Sequence, residues 1–225
     1  MARLVLWDID HTLIDTRGVG RELSAAAFRR ATGQPMRKQA KIDGITEAVI
    51  FRETAKLHGL TTDRADFERF ADALTDEHLK HAAELRERGH ALPGAAAAID
   101  ALAALDVRQT VVSGNIRPVA EIKLQVFGLD RHIAWDLGAY GEESDIRAHL
   151  VRLSLHRADV SATEAVLIGD TPADVDGAHA NGVRVIAVAS GRSDEATLLN
   201  VGAEVVLADL LDAELLVELV RGHDQ

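Results

Sequence analysis

Asp8 and Asp10 stand two residues apart, directly after the apolar run Leu4-Val5-Leu6-Trp7. If that run is a buried strand, this spacing sends both carboxylates to the same side of the chain. Two like charges side by side in an apolar setting are unfavourable unless a cation or a proton is shared between them. The pair therefore has the make-up of a site that binds a cation or handles protons. A structural use covers only part of it: Asp10 could cap a helix beginning near Thr16, which leaves Asp8 unexplained. Two more polar clusters follow apolar runs, Ser113-Gly114-Asn115 and Gly169-Asp170-Thr171-Pro172-Ala173-Asp174. Each alone is weak, because Ser-Gly is ordinary turn chemistry and Asp often precedes helices. Their recurrence after three separate runs is what carries weight.

Five short runs, 4–7, 107–113, 165–169, 183–189 and 203–207, are continuously apolar rather than alternating. Strands buried on both faces of a parallel sheet read this way. Helical stretches separate them: 94–105 behind the Pro93-Gly94 breaker, 116–127 ending at Gly128, 145–158, and 173–181 ending at Asn181-Gly182. The alternation predicts an α/β fold, a doubly wound parallel sheet. Such sheets present ligands at the carboxyl ends of their strands, where all three polar clusters fall. Residues 16–89 differ. Phe67, Phe70, Ala71 and Leu74 follow one helical face. Further helices are expected over 20–32 and 45–58, broken around Gly33-Gln34-Pro35. An insert this long is no loop. The expected organisation is a core of residues 1–15 and 90–225 with an all-helical cap domain of residues 16–89.

The 225 residues allow one large domain or two small ones. Lys plus Arg number 25 against 36 Asp plus Glu, a formal net charge of −11. This acidity argues against nucleic acid and anionic membranes as partners. A phosphorylated small molecule stays compatible, because a local cluster of cations or a metal can reverse the field in one cleft. No cysteine is present, which excludes disulfides, thiolate metal sites and cysteine nucleophiles, and fits a reducing cytoplasm. Asp8 interrupts the first apolar stretch, so neither a signal peptide nor a membrane span is expected.

In order and spacing the three clusters resemble the haloacid dehalogenase superfamily, which is mostly phosphatases. Asp8-Ile9-Asp10-His11-Thr12 resembles its first motif, Asp-x-Asp-x-Thr, although His11 replaces the commoner glycine. Ser113 resembles the second, and Gly169-Asp170 with Asp174 the fourth, Gly-Asp-x-x-x-Asp. The insert lies between the first two motifs, where many members carry a helical cap. The resemblance implies a Rossmann-like core and Mg²⁺-dependent hydrolysis of a small phosphate monoester. Asp8 would then be the nucleophile, forming an aspartyl-phosphate, and Asp10 the general acid and base. Mg²⁺ would be held by Asp8, the backbone carbonyl of Asp10, and Asp170, with Asp174 close by or acting through water. Ser113, the Gly114 amide and a cation would stabilise the transferring phosphoryl group.

Arg147 is assigned as that third-motif cation. Lys123 is expected to be carried away from the site, being about two turns into a helix that recedes from it. Asp10 and Asp170 argue against dehalogenation, which needs neither a metal nor a second acid. A phosphomutase, or a phosphonate hydrolase using Lys38 or Lys41, remains an alternative. So does a phospho-acceptor protein without turnover, though a mere acceptor has no use for Asp10. Asp174 could simply charge the start of the 173–181 helix, and Ser113 could cap the helix from Ile116. Asn115-Ile116-Arg117-Pro118 reads mainly as helix-start chemistry.

Overall fold

Strand β1 (Leu4–Trp7) is buried along its whole length, and the rest of the sheet is arranged around it. A computed structural model describes residues 2–222. After β1 come the two-residue strand β2 (Ile14–Asp15) and four helices, α1 (Val19–Thr32), α2 (Glu47–Leu57), α3 (Arg64–Lys80) and α4 (Ala82–Arg88). Strand β3 (His90–Ala91) then pairs antiparallel with β2, so the chain leaves and re-enters the core at adjacent points. Next are α5 (Ala95–Ala103), β4 (Arg108–Val111), α6 (Arg117–Val126), α7 (Arg147–Ala158), β5 (Ala165–Gly169) and α8 (Pro172–His179). Strand β6 (Arg184–Val188), α9 (Glu195–Asn200), β7 (Val206–Leu207) and α10 (Ala213–Arg221) complete the described chain.

The main sheet has the order β4-β1-β5-β6-β7 with every pair parallel. This is the doubly wound α/β arrangement expected from the apolar runs. Its switch point, where the winding reverses, lies between β1 and β5, and ligands of such sheets sit there. Alternate residues of β1 enter opposite cores. Val5 and Trp7 join Val166, Ile168 and the apolar faces of α5 and α10, whereas Leu4 and Leu6 join Leu167, Val185 and residues of α7 and α8. Of the run 203–207 only Val206 and Leu207 pair, as an edge strand against Ala187 and Val188. The turn at Gly202, with φ 97, uses the residues before them.

Between β2 and β3 the helices build their own apolar cluster. Phe28, Phe51, Phe67, Phe70 and Leu74 pack together, with Phe51 and Phe70 stacked at 4.6 Å between ring centroids. Ile116 and Val119 of α6 belong to the same cluster, and Ile122 and Val126 join Val19, Leu23 and Leu85 in another. Helix α6 is thus the seat of the insert. Helix α3 starts with a reciprocal capping box between Asp63 and Asp66. Helix α4 is too short for periodicity to reveal. Among the described residues no helix is long and apolar enough to cross a membrane.

Under the sheet, one polar side chain links three elements. Buried Gln109 accepts from Trp7 Nε1 at 3.0 Å and donates to the Ile99 carbonyl at 2.9 Å. Gln109→Leu leaves both partners buried and unpaired, and should destabilise the fold by about 2–4 kcal/mol. Urea unfolding checks this; a loss below about 0.5 kcal/mol would show that the two groups find other partners.

Candidate active site

Asp8 lies just beyond β1, but its amide still donates to the Ile168 carbonyl at 2.9 Å. The ladder with β5 therefore fixes its position. Past Asp10 the chain folds back: His11 N donates to Ile14 O at 2.7 Å and Leu13 N to Ile9 O at 2.9 Å. His11 takes φ 65, in the left-handed region that favours glycine. This accounts for glycine being the commoner residue there in the superfamily that the motif resembles. His11 lines the cleft from this turn, while its carbonyl accepts from Ser190 Oγ at 2.7 Å. The cleft, about 970 Å³ with its open mouth included, lies between the strand ends and helices of the insert.

Asp8, Asp170 and Asp174 meet on its floor. Each offers a carboxylate oxygen, all of these lie within 4.8 Å of one another, and all three residues are buried. Thr12 Oγ1 donates to Asp170 at 3.3 Å. Gly191 must be bare, because a Cβ there would stand 1.8 Å from Asp170 Oδ2. Asp174 serves two purposes. One oxygen accepts from the Thr171 amide at 3.1 Å and the Thr171 hydroxyl at 2.7 Å, closing a capping box on α8. The other accepts from Arg147. The helix-start use of Asp174 and its place in the cluster thus hold together.

Arg147, the first residue of α7, is buried and bridges the cluster: one Nη2 donates to Asp8 Oδ1 at 2.7 Å and to Asp174 Oδ1. Three carboxylates against one guanidinium leave an excess of negative charge. Burial pushes Asp8 up; Arg147 opposes this and Asp174 reinforces it. Burial likewise pushes Asp170 up, with Asp8 and Asp174 adding to it. A hard dication bound by oxygen would relieve this crowding, so the donor set fits one.

Asp10 stands apart from that cluster. Lys123 Nζ donates to its two oxygens at 2.8 and 2.7 Å and to Asn115 Oδ1 at 2.7 Å. Asn115 Nδ2 donates to Asp10 Oδ2 at 2.7 Å and to Ser113 Oγ at 2.9 Å. Burial works against the Asp10 charge, but Lys123 and Asn115 outweigh it and hold the carboxyl below its usual range. The side chain of Asp10 is therefore committed to Lys123 and Asn115 rather than to the acidic triad.

Lys123 corrects one expectation: it is not carried away. The rise from Arg117 to Lys123 is roughly 9 Å, but Cα–Cβ bonds tilt toward the helix N-terminus and a lysine stem is long. The side chain reaches back to the strand end. Ser113 does not cap α6 either: its Oγ accepts from the Asn115 amide at 3.2 Å, and the cap residue Ile116 has no side-chain bond. Asn115, assigned to helix-start chemistry, instead ties Ser113, Asp10 and Lys123 together. Gly114 meets the insert, accepting from the Glu47 amide at 2.8 Å. Two cleft residues of the insert escaped sequence reading. Glu47, in the first turn of α2, is pushed up to about 7 by burial, against Lys123 and with Asp10. His78 of α3 is pushed down to about 4 by burial and by Lys123. The available signal is that His78 continues the Phe67-Phe70-Leu74 stripe with a polar residue.

Residues 5–188 match the family model described as haloacid dehalogenase-like hydrolase. Curated relatives, the Tyrosine-protein kinase PtkA of Mycobacterium bovis and of Mycobacterium tuberculosis, are 26% identical over 201 residues. The match covers 84% of this chain but only 62% of those proteins. A predicted phosphatase from Clostridium acetobutylicum has a TM-score of 0.69 at 16% identity, over 99% of this chain and 100% of its own. A candidate beta-phosphoglucomutase from Bacteroides vulgatus has 0.68 at 18% identity, over 98% of this chain and 89% of its own. At these identities the likeness to solved structures is one of fold.

The acidic triad gives the protein a distinct pH signature. Asp8 and Asp170 titrate above the unfolded carboxylate value of about 4. Their folded forms then bind extra protons, so their contribution to stability is greatest at low pH and falls as pH rises through neutrality. Without metal, Asp170→Asn should melt above the wild type, by more at pH 8 than at pH 5. It should also lose the rise in Tm that a divalent cation gives the wild type. Thermal scans in chelator and in added cation check this; a variant melting at or below the wild type at pH 8 would contradict it.

Proposed function

The chain belongs to the haloacid dehalogenase-like hydrolase family, and we propose that it hydrolyses a small-molecule phosphate monoester, with Mg²⁺, through phosphorylation of Asp8. The observation that carries this reading is a division of charge. Asp8 lies in a buried triad with one guanidinium, while Asp10 has a separate set of partners. A nucleophile and a proton carrier need such different surroundings.

Asp8, Asp170 and Asp174, with the backbone carbonyl of Asp10, are the groups that would hold Mg²⁺, which prefers oxygen ligands and water. When bound it neutralises the repulsion between a carboxylate and a phosphate dianion. Asp8, as a carboxylate, attacks phosphorus as the bond to the leaving alcohol breaks. Asp10, ionised at rest beside Lys123 and Asn115, takes a proton from the substrate's phosphate monoanion and passes it to that alcohol. Asp10 then takes a proton from the water that cleaves the acyl phosphate and gives it to the departing phosphate, which restores both residues. Arg147 lines the cleft, and its bonds to Asp8 and Asp174 both run from Nη2. The guanidinium thus keeps Nη1 as a donor for phosphoryl oxygens, alongside the Ser113 hydroxyl and Gly114 amide.

Residues 16–89 act in this reading as a cap that excludes water, hinged at the paired β2 and β3. Its loop meets the core where Asp43 pairs with Arg192 at 3.3 Å. A phosphomutase would use the same floor. A phosphonate hydrolase is less well supported, because Lys38 and Lys41 are not among the residues that line the cleft. Transfer to tyrosine, the activity in the name of the curated relatives, would label protein instead of releasing inorganic phosphate.

Phosphate release with and without Mg²⁺ tests the proposal. Asp8→Asn should abolish it with native circular dichroism retained. Asp10→Asn should slow single-turnover phosphorylation by alkyl phosphates about 10²–10⁴-fold, and less for an activated aryl phosphate that leaves without a proton. Near wild-type turnover in Asp8→Asn, or equal losses for both ester types in Asp10→Asn, would refute the respective role.

Comparing the two cations separates their work. Lys123→Ala should show the leaving-group dependence of Asp10→Asn, because Lys123 acts through Asp10. Arg147→Ala should depress turnover of every ester alike. If Lys123→Ala also slows alkyl and aryl esters equally, Lys123 serves the phosphoryl group directly.

A further inference from the structure

We propose that His78 and Glu47 form a leaving-group subsite, and that the substrate is a phosphate ester whose alcohol carries a second hydrogen-bond donor, hydroxyl or ammonium, and no second anion. The inference deepens the phosphatase reading and rests on it. Three helices each present an apolar side chain and a polar one about a turn apart to the cleft: Ile50 with Glu47, Leu74 with His78, and Val119 with Lys123. The apolar members line the same cleft as Asp10. The polar members lie close enough for Lys123 and Asp10 to act electrostatically on both Glu47 and His78.

His78 is 2% exposed. Its Nδ1 lies 2.9 Å from the Leu74 carbonyl, which can only accept, so Nδ1 carries the hydrogen. Nε2 is left with a lone pair and is buried without a partner. A buried acceptor beside a ligand cleft calls for a donor. Glu47 is held by its amide on the Gly114 carbonyl, 2.8 Å away. Among the described residues its carboxyl feels burial and the fields of Lys123 and Asp10, with no hydrogen bond to it. Lys123 cannot serve as an anion receptor, because both oxygens of Asp10 and the Asn115 carbonyl engage it.

The wall therefore offers two free acceptors and a committed cation. A donor on the leaving group satisfies the acceptors and favours the carboxylate form of Glu47. Arg21 of α1 also lines the cleft and has no ion pair among the described residues, but against this wall a carboxylate or second phosphate would meet the Nε2 lone pair of His78, the charge of Asp10 and that of Glu47 once ionised. Among the described residues neither side chain hydrogen-bonds to the triad, while the Glu47 amide is held on Gly114, so the subsite adjoins the phosphoryl machinery without sharing its carboxylates.

Four esters test this: glycerol 3-phosphate, O-phosphoethanolamine, propyl phosphate and phosphoglycolate. Their kcat/KM values are measured on the wild-type protein with Mg²⁺, and their Kd values by calorimetry on Asp8→Asn. Either donor-bearing ester should exceed propyl phosphate and phosphoglycolate by at least about tenfold in both. The preferred one identifies hydroxyl or ammonium as the donor. In His78→Phe, which keeps an aromatic ring without the acceptor, and in Glu47→Leu, which removes the carboxyl acceptor, that ratio should fall toward one.

Equal handling of propyl phosphate, a preference for phosphoglycolate, or an unchanged ratio in both variants overturns the subsite. If no ester is hydrolysed, the phosphatase reading fails, but the Kd ratios still decide the subsite. If none of the four binds, the subsite falls as well.

Discussion

Three carboxylates crowded at the switch point of a parallel sheet are the constraint on which the rest of this structure depends. Asp8 and Asp170 leave adjacent strands, β1 and β5, whose parallel pairing sets how close they stand. Asp174 is brought in by the capping box that begins α8. The arrangement is costly without compensation. Its surroundings supply compensation in layers: a guanidinium from α7, a hydroxyl from Thr12, and a bare glycine at 191 that keeps carbon away from Asp170. What remains uncompensated is the negative charge that a hard dication would meet.

The second feature is separation. Asp8 and Asp10 are neighbours in sequence, yet one is pushed up and the other held down. The difference comes from their partners. Arg147 shares itself between two acids of the triad, whereas Lys123 and Asn115 both serve Asp10. These directions belong to the site without a cation; a dication on the triad would draw Asp8 back down to its carboxylate form.

Helix α6 joins the two halves of the molecule. One face carries Val119, Ile122 and Val126, with the cap residue Ile116, into the apolar clusters of the insert. From the same helix Lys123 reaches the end of β1. The insert is therefore seated on the helix that also holds Asp10 in place. Any shift of α1, α2 or α3 across that seat changes what His78 and Glu47 present to the cleft.

Much of this was legible in the chain. Unbroken apolar runs report strands buried on both faces because such strands have no wet side to alternate with. Polar residues at their ends report the site because that is where an open parallel sheet has room for ligand. Asp8, Asp10, Ser113, Asp170 and Asp174 follow from those rules together with the motifs they match, and Arg147 from the resemblance alone. Lys123, Asn115, His78 and Glu47 did not, and for a common reason. Each is set by the direction of a side chain or by the docking of one helix on another, and spacing along a single element carries neither. The rise of a helix says where its backbone goes and not how far a long stem such as Lys123 returns. A polar residue such as His78 on an apolar stripe acquires meaning only when α3 is laid against α6. The local pattern determined the sheet and the acids on it; tertiary packing decided which cation serves which acid, and which polar groups line the cleft.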